Sequence, residues 1–337
     1  MPHSRALIFG CSGLELTPNE AKFFAESRPV GFILFTRNCN TPDQLRHLIH
    51  QLRDCINSEN ALILIDQEGG RVARLLSPYW REPPAGQVFA DLAVRNLDNA
   101  LEALTLNVRL IGQELRELGI NVDCLPVLDI PQDDSDPVIG DRAYGKEPKQ
   151  VAALGRAACE ALLKEGVLPV IKHIPGHGRA TVDSHKALPR VNTALAELSA
   201  VDFVTFKALA DMPLAMTAHV IYEAIDADRP ATTSPRVVQE IIRGEIGFNG
   251  LVMSDDLSMQ ALAGSFAERT VATLNAGCDL VLHCNGDMAE MQEIARAASV
   301  LPIGAEEKMA KTLSLIEHFE TVDKDAVLAR LGNLLKS

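Results

Sequence analysis

Lys172, His173, His177, Asp183 and His185 fall inside one short stretch, KHIPGHGRATVDSH. Pro175, Gly176 and Gly178 interrupt it. Proline lacks a backbone donor and glycine costs backbone entropy, so a loop is expected here rather than a helix or strand. Three chemistries suit such a cluster. The first is metal binding by His173, His177 and His185 with Asp183. Their spacings of four and eight residues match one face of a helix, which the Pro/Gly content precludes. The second is phosphate binding by the backbone amides of GHGR, but the lysine pattern of a phosphate-binding loop is missing. The third is cleavage of a glycosidic bond. That reaction needs a nucleophile or base on one face of a sugar, an acid on the other, and polar groups to grip hydroxyls. Asp255 as nucleophile, Asp183/His185 as proton donor, and Asp66, Arg74, Arg142 and Lys172 as grips meet the demand.

Taken singly, most of these residues have a plainer reading. Asp66 and Asp255 suit a turn or a helix cap, and Arg71 and Arg142 suit loop clamps. His219, His283 and Cys284 read as structural. Their convergence is what carries weight, and it comes from the elements that must hold them. Eight short apolar runs recur: Ala6–Phe9, Val30–Phe35, Ala61–Ile65, Ile120–Leu128, Leu168–Ile171, Leu214–Ala218, Leu251–Met253 and Leu280–Leu282. Near-continuous hydrophobicity suits parallel strands covered on both faces. Amphipathic stretches lie between them. Leu97, Leu101, Leu104, Val108, Ile111, Leu115 and Leu118 alternate in steps of four and three, with Gly119 as the stop. Asp43 to Cys55 repeats the pattern. Strand–helix alternation without a composition break predicts a single α/β domain, a (β/α)8 TIM-type barrel, over a doubly wound sheet. In such a barrel the active site gathers at the carboxyl ends of the strands. Asp66, Asp129, Lys172-His173, His219, Asp255-Asp256 and His283-Cys284-Asn285 all follow the apolar part of their runs, on that one rim.

The whole of 1–337 is expected to be this one domain, with helices from about Leu301 closing the barrel. Composition is ordinary for a globular protein, at 47% hydrophobic and 23% charged. A net charge of −13 disfavours nucleic acid or an anionic membrane as partner. No apolar run is long enough to span a bilayer, and Ala6–Phe9 is too short for the core of a signal peptide. The seven cysteines are scattered, without CxxC spacing, which fits free thiols in a reducing cytoplasm. A monomer needing neither metal nor cofactor is expected.

KHIPGHGRATVDSH (Lys172–His185) closely resembles the K-H-F-P-G-H-G-x-x-x-x-D-S-H motif of the family 3 β-N-acetylhexosaminidases among the glycoside hydrolases. GFNGLVMSDDLSM (Gly247–Met259) resembles their nucleophile segment. GFILFTRN, LIDQEGGRVARL, VIGDRAYGKEP and MTAHVIY also match, in the family's order. Ile174 stands where the family usually has Phe. The resemblance runs from about Gly31 to Asn285 and is nearest to the single-domain bacterial members of peptidoglycan recycling. It implies that Asp255 forms a covalent glycosyl-enzyme, that His185 is the general acid/base, and that Asp183 orients it. Asp66, Arg74, Arg142, Lys172 and His173 would hold the substrate, a terminal β-linked N-acetylglucosamine on an anhydromuramyl peptide. Two other functions are compatible with the same residues: a phosphorylase in which phosphate replaces water, and a sugar-binding barrel without turnover.

Overall fold

The eight apolar runs become eight parallel strands, because a strand buried on both faces can be apolar throughout. In the computed structural model these are β1 (Arg5–Gly10), β2 (Pro29–Leu34), β3 (Leu62–Ile65), β4 (Val122–Asp123), β5 (Leu168–Ile174), β6 (Leu214–Thr217), β7 (Leu251–Asp256) and β8 (Leu280–His283). Each pairs with its neighbour in sequence, and β8 pairs with β1, so the sheet closes into a barrel. The structure describes residues 4–336. The first three residues and the last residue of the expected 1–337 domain lie outside them.

Alternation along the strands divides their side chains between two cores. Ile8, Val30, Leu64, Val170, Met253 and Leu280 point into the barrel, while Phe9, Phe32, Ile63, Ile171 and Val252 pack outward against the helices. Burying one such side chain is worth about 1.5–3 kcal/mol. The inner core also takes Leu301, Ala305 and Met309, so the helix Ile303–Ser314 plugs the end of the barrel away from the strand carboxyl ends. A last helix, Lys324–Leu334, packs on the long helix Leu97–Leu118.

That long helix starts and stops as its sequence demands. The Asn96 side chain caps it by accepting from the Asn99 N–H at 3.0 Å, and Gly119 ends it at φ 89°, a conformation that favours glycine. Its core stripe begins one turn later than the periodicity predicts: Leu97 is exposed, and Ala100 is the first buried residue. Pro42–Cys55 forms the second expected helix.

Two strand boundaries differ from expectation. The Ile120–Leu128 run keeps only Val122–Asp123 in the regular ladder, since Pro126 has no N–H to donate. In the other direction, β5 continues through Lys172 and His173 to Ile174, pairing with β6. These two residues therefore belong to a strand, not to the loop. No helix among the described residues is long and apolar enough to cross a membrane.

Candidate active site

At the carboxyl ends of the strands lies a cavity of about 390 Å³. Asp66, Arg74, Arg142, Lys172, His173, His185 and Asp255 all line it, with Asp256, Arg37 and Arg71 and an apolar floor of Ile33, Met216 and Leu282. Asp183 does not reach the cavity but is bonded to His185. The expected residues are thus brought together on one rim, from the ends of strands and the loops after them.

Asp66 anchors an ion-pair network at the end of β3. Its Oδ1 accepts from Lys172 Nζ at 2.8 Å and its Oδ2 from Arg74 Nη2 at 3.0 Å. Glu68, which the sequence reading passed over, completes the set. It accepts two hydrogen bonds from the Arg142 guanidinium, both 2.8 Å, and pairs with Lys172 Nζ at 2.6 Å. Burial alone would raise both carboxyls. Lys172 and Arg74 outweigh it at Asp66, which lies well below the usual range, and Arg142 and Lys172 bring Glu68 down to about 2. Lys172 responds in the opposite sense: its two carboxylates overcome burial and hold the ammonium above its ordinary value. Glu68 takes three contacts from cations and Asp66 takes two. A carboxylate offers about four lone-pair sites, so Asp66 retains acceptor capacity toward the cavity. A signal for Glu68 was present, because residues two apart in an extended segment share a face.

Arg71 acts as the loop clamp that its type suggested. It donates to Asp141 at 2.7 Å and to the carbonyls of Pro137 and Val138. Arg142 is likewise clamped, by Glu68, and both arginines line the cavity.

Asp255 and Asp256 adjoin at the end of β7 but are used differently. Asp256 is tied to structural donors, accepting from Ser258 N–H at 3.0 Å, Cys284 N–H at 3.1 Å and the Ser258 hydroxyl. Among the described residues, Asp255 accepts only from the Asp256 N–H, at 2.8 Å on Oδ1. Its remaining lone pairs face the cavity. Burial works to raise the Asp255 carboxyl, but the nearby His173 and His219 rings and the Asp256 N–H prevail and lower it. An ionised carboxylate with free lone pairs is what a nucleophile requires. His219 lies below, bonded to Thr232 Oγ1 at 2.7 Å and the Asp256 carbonyl at 3.0 Å, in the structural role expected of it.

The histidines of the opening motif separate into pairs. His173 Nδ1 meets Asp129 Oδ2 at 2.6 Å, an interaction absent from the sequence reading although Asp129 was placed at the rim. His177 Nε2 meets Ser184 Oγ at 3.0 Å, and His177 lies behind the cavity wall. His185 Nδ1 meets Asp183 Oδ1 at 2.8 Å, and Asp183 also accepts the His185 backbone N–H at 2.9 Å. This dyad leaves Nε2 of His185 available at the cavity.

Residues 15–316 match the glycosyl hydrolase family 3 N-terminal domain. The chain is 38% identical to the β-hexosaminidase of Methylococcus capsulatus over 96% of its own length and 94% of the relative's. It is 42% identical to that of Alkalilimnicola ehrlichii over 83% and 80%. The crystal structure of NagZ from Neisseria gonorrhoeae with N-trifluoroacetyl-D-glucosamine superposes with a TM-score of 0.86 at 30% identity, covering 99% of this chain and 100% of that one. The chain belongs to glycosyl hydrolase family 3.

Proposed function

We propose that this hydrolase is a retaining exo-β-N-acetylglucosaminidase. It removes terminal β-linked N-acetylglucosamine from N-acetylglucosaminyl-anhydromuramyl peptides through a covalent glycosyl-enzyme. The activity class is supported by the β-hexosaminidase relatives and the likeness to a structure solved with an N-acylated glucosamine. The muropeptide rests on the motif resemblance to peptidoglycan-recycling members. Action as a cytoplasmic monomer rests on the acidic composition and seven free thiols.

One observation carries the mechanism: a carboxylate with free lone pairs and an aspartate-oriented imidazole face the same cavity. Asp255 attacks the anomeric carbon as the bond to the leaving oxygen breaks. His185, charged and held by Asp183 through Nδ1, gives its Nε2 proton to that oxygen. The neutral imidazole then takes a proton from water, which attacks the anomeric carbon and releases Asp255. Two inversions retain the β-configuration. Asp66, Arg74, Arg142, Lys172 and His173 hold the sugar.

Following the first-formed anomer by NMR during muropeptide hydrolysis tests this. Initial release of β-N-acetylglucosamine is expected, and initial α-anomer overturns it. Formation of sugar 1-phosphate on adding phosphate would instead identify a phosphorylase. Absence of any turnover would leave a binding protein.

A further inference from the structure

Residues 181–188 carry His185 but are tied to the rest of the protein at one point. Thr181, Val182, His185, Lys186 and Ala187 are exposed, whereas Ser184 among them is 3% exposed. Among the described residues, all hydrogen bonds and ion pairs of this segment but one close within it. The exception joins Ser184 Oγ to His177 Nε2 at 3.0 Å.

Both flanks are held firmly. The Gly178 and Ala180 carbonyls accept from Gln132 and Asp136, and Arg179 pairs with Asp202 and Glu197. Pro189 accepts from Ile221, where a short parallel ladder of Arg190–Val191 with Ile221–Tyr222 begins. The free span therefore lies between two fixed points, with Ser184 as its pin.

The receiving side is rigid. The His177 N–H donates to Asp129 Oδ1 at 2.6 Å, and the same buried carboxylate takes His173 Nδ1. The His177 ring is buried, 5.7 Å from the His173 ring. Burial, with His173 alongside, pushes it down to about 4, so it is a neutral ring with a single N–H at neutral pH. Its Nδ1 has no hydrogen-bond partner among the described residues.

We infer that His177 and Ser184 are positioning residues for the reaction: their hydrogen bond is the latch that seats His185 over the cavity opposite Asp255. This rests on the reading of His185 as acid/base. Ser184 lies between Asp183 and His185, so fixing its hydroxyl fixes the backbone on which both are mounted. A single neutral hydrogen bond also suits a segment that must move once per turnover. Its net contribution is small, and on opening His177 Nε2 and the Ser184 hydroxyl can each exchange their mutual hydrogen bond for one to water.

The test compares Ser184→Ala, Ser184→Thr and His185→Ala over N-acetylglucosaminides whose leaving groups range from acidic phenols to a sugar. Ser184→Ala should lose about 10-fold in kcat/KM with the sugar, the scale of one hydrogen bond, and little with an acidic phenol. Ser184→Thr should restore the wild-type slope, and amide exchange across 181–188 should rise in Ser184→Ala alone. Faster exchange with an unchanged slope would overturn the proposal, because the latch would then serve only loop order. So would an unchanged slope and unchanged exchange. If His185→Ala is steep while Ser184→Ala is flat, the latch fails and the acid/base reading survives. If His185→Ala itself is flat, that reading fails and the latch falls with it.

Discussion

Two clusters of polar groups face the same cavity and are held in opposite ways. On the rim, Asp66, Glu68, Arg142 and Lys172 have side chains between 2% and 14% exposed, and their charges are matched across three separate segments. On the loop, the His185 side chain is 64% exposed, and among the described residues its segment reaches the rest of the protein through one hydrogen bond. Groups that recognise hydroxyls act best when already in place, since ordering them on binding would cost affinity. A proton donor beside an exit route has a different requirement: it must be aligned during reaction and leave room for release. The difference teaches that the chain separates recognition from proton transfer by stiffness. Asp255 sides with the rim, at the end of a strand.

The largest effect should follow from removing the group that ties the rim to the chemistry. Asp255→Ala should lower turnover by about 10⁴–10⁶-fold, the range seen when a nucleophile is deleted, with the fold intact. A slow fluorinated substrate should label Asp255. Label on Asp256 would place the nucleophile on a carboxylate already engaged by Ser258 and Cys284, and the assignment would fall.

His185→Ala tests the loop side. It should cost about 10²–10⁴-fold with a sugar leaving group and far less with an acidic phenol, which departs without a proton. Because the ring is exposed, its loss should leave the denaturant midpoint unchanged. A marked drop in stability would mean that the loop is as integral as the rim.

How much of this was legible in the sequence follows from the same contrast. The motif residues on the rim could be read because a strand end places them, and strand ends were visible as apolar runs. Who pairs with whom could not be read: Lys172 and Asp66 are 106 positions apart, and nothing local couples them. Glu68, and the pairing of Asp129 with His173, were missed for that reason, as each acquires meaning from a partner on another strand. The β5 boundary was misplaced because Lys172 and His173 look like loop residues until Asp66, Glu68 and Asp129 are present to neutralise them. Ser184 stood in the D-S-H motif with no role of its own to read. A serine between two catalytic-type residues is unremarkable until it is seen to be the buried one.

The third prediction concerns the rim alone. Glu68→Gln removes one partner of a buried ion pair and should cost about 3–5 kcal/mol of stability, leaving Arg142 without its carboxylate and Lys172 with Asp66 alone. The pH dependence has a definite sign. The Glu68 carboxyl lies at about 2 in the folded protein against an ordinary 4.5. The folded state thus binds its proton less readily than the unfolded state. Its contribution is complete above about 4.5 and is lost as pH falls toward about 2. The stability gap between wild type and Glu68→Gln should narrow across that window. A gap independent of pH would show that Glu68 acts through packing and not through its charge.

The smallest effect sharpens the loop side. Asp183 takes both the backbone N–H and Nδ1 of His185 on the same oxygen. It therefore sets the tautomer and the direction in which Nε2 points, but it does not itself transfer the proton. Asp183→Ala leaves an imidazole that is still present and still basic, though free to turn. With a sugar leaving group the loss should be about 10-fold, below the range for losing proton transfer outright and well short of His185→Ala. Asp183→Asn keeps an oxygen that can accept the Nδ1 proton while removing the charge. If orientation is the whole role, Asn should recover most of the rate lost in Ala. If the charge of the carboxylate matters as the imidazolium forms, Asn should remain close to Ala. Slopes of log kcat/KM against leaving-group pKa separate these cases, because both variants should be steeper than wild type and shallower than His185→Ala. A slope for Asp183→Ala as steep as that of His185→Ala would mean that the unoriented ring contributes nothing. Positioning would then be worth as much as the acid itself, and the loop would be held far more strictly than a single hydrogen bond to His177 implies.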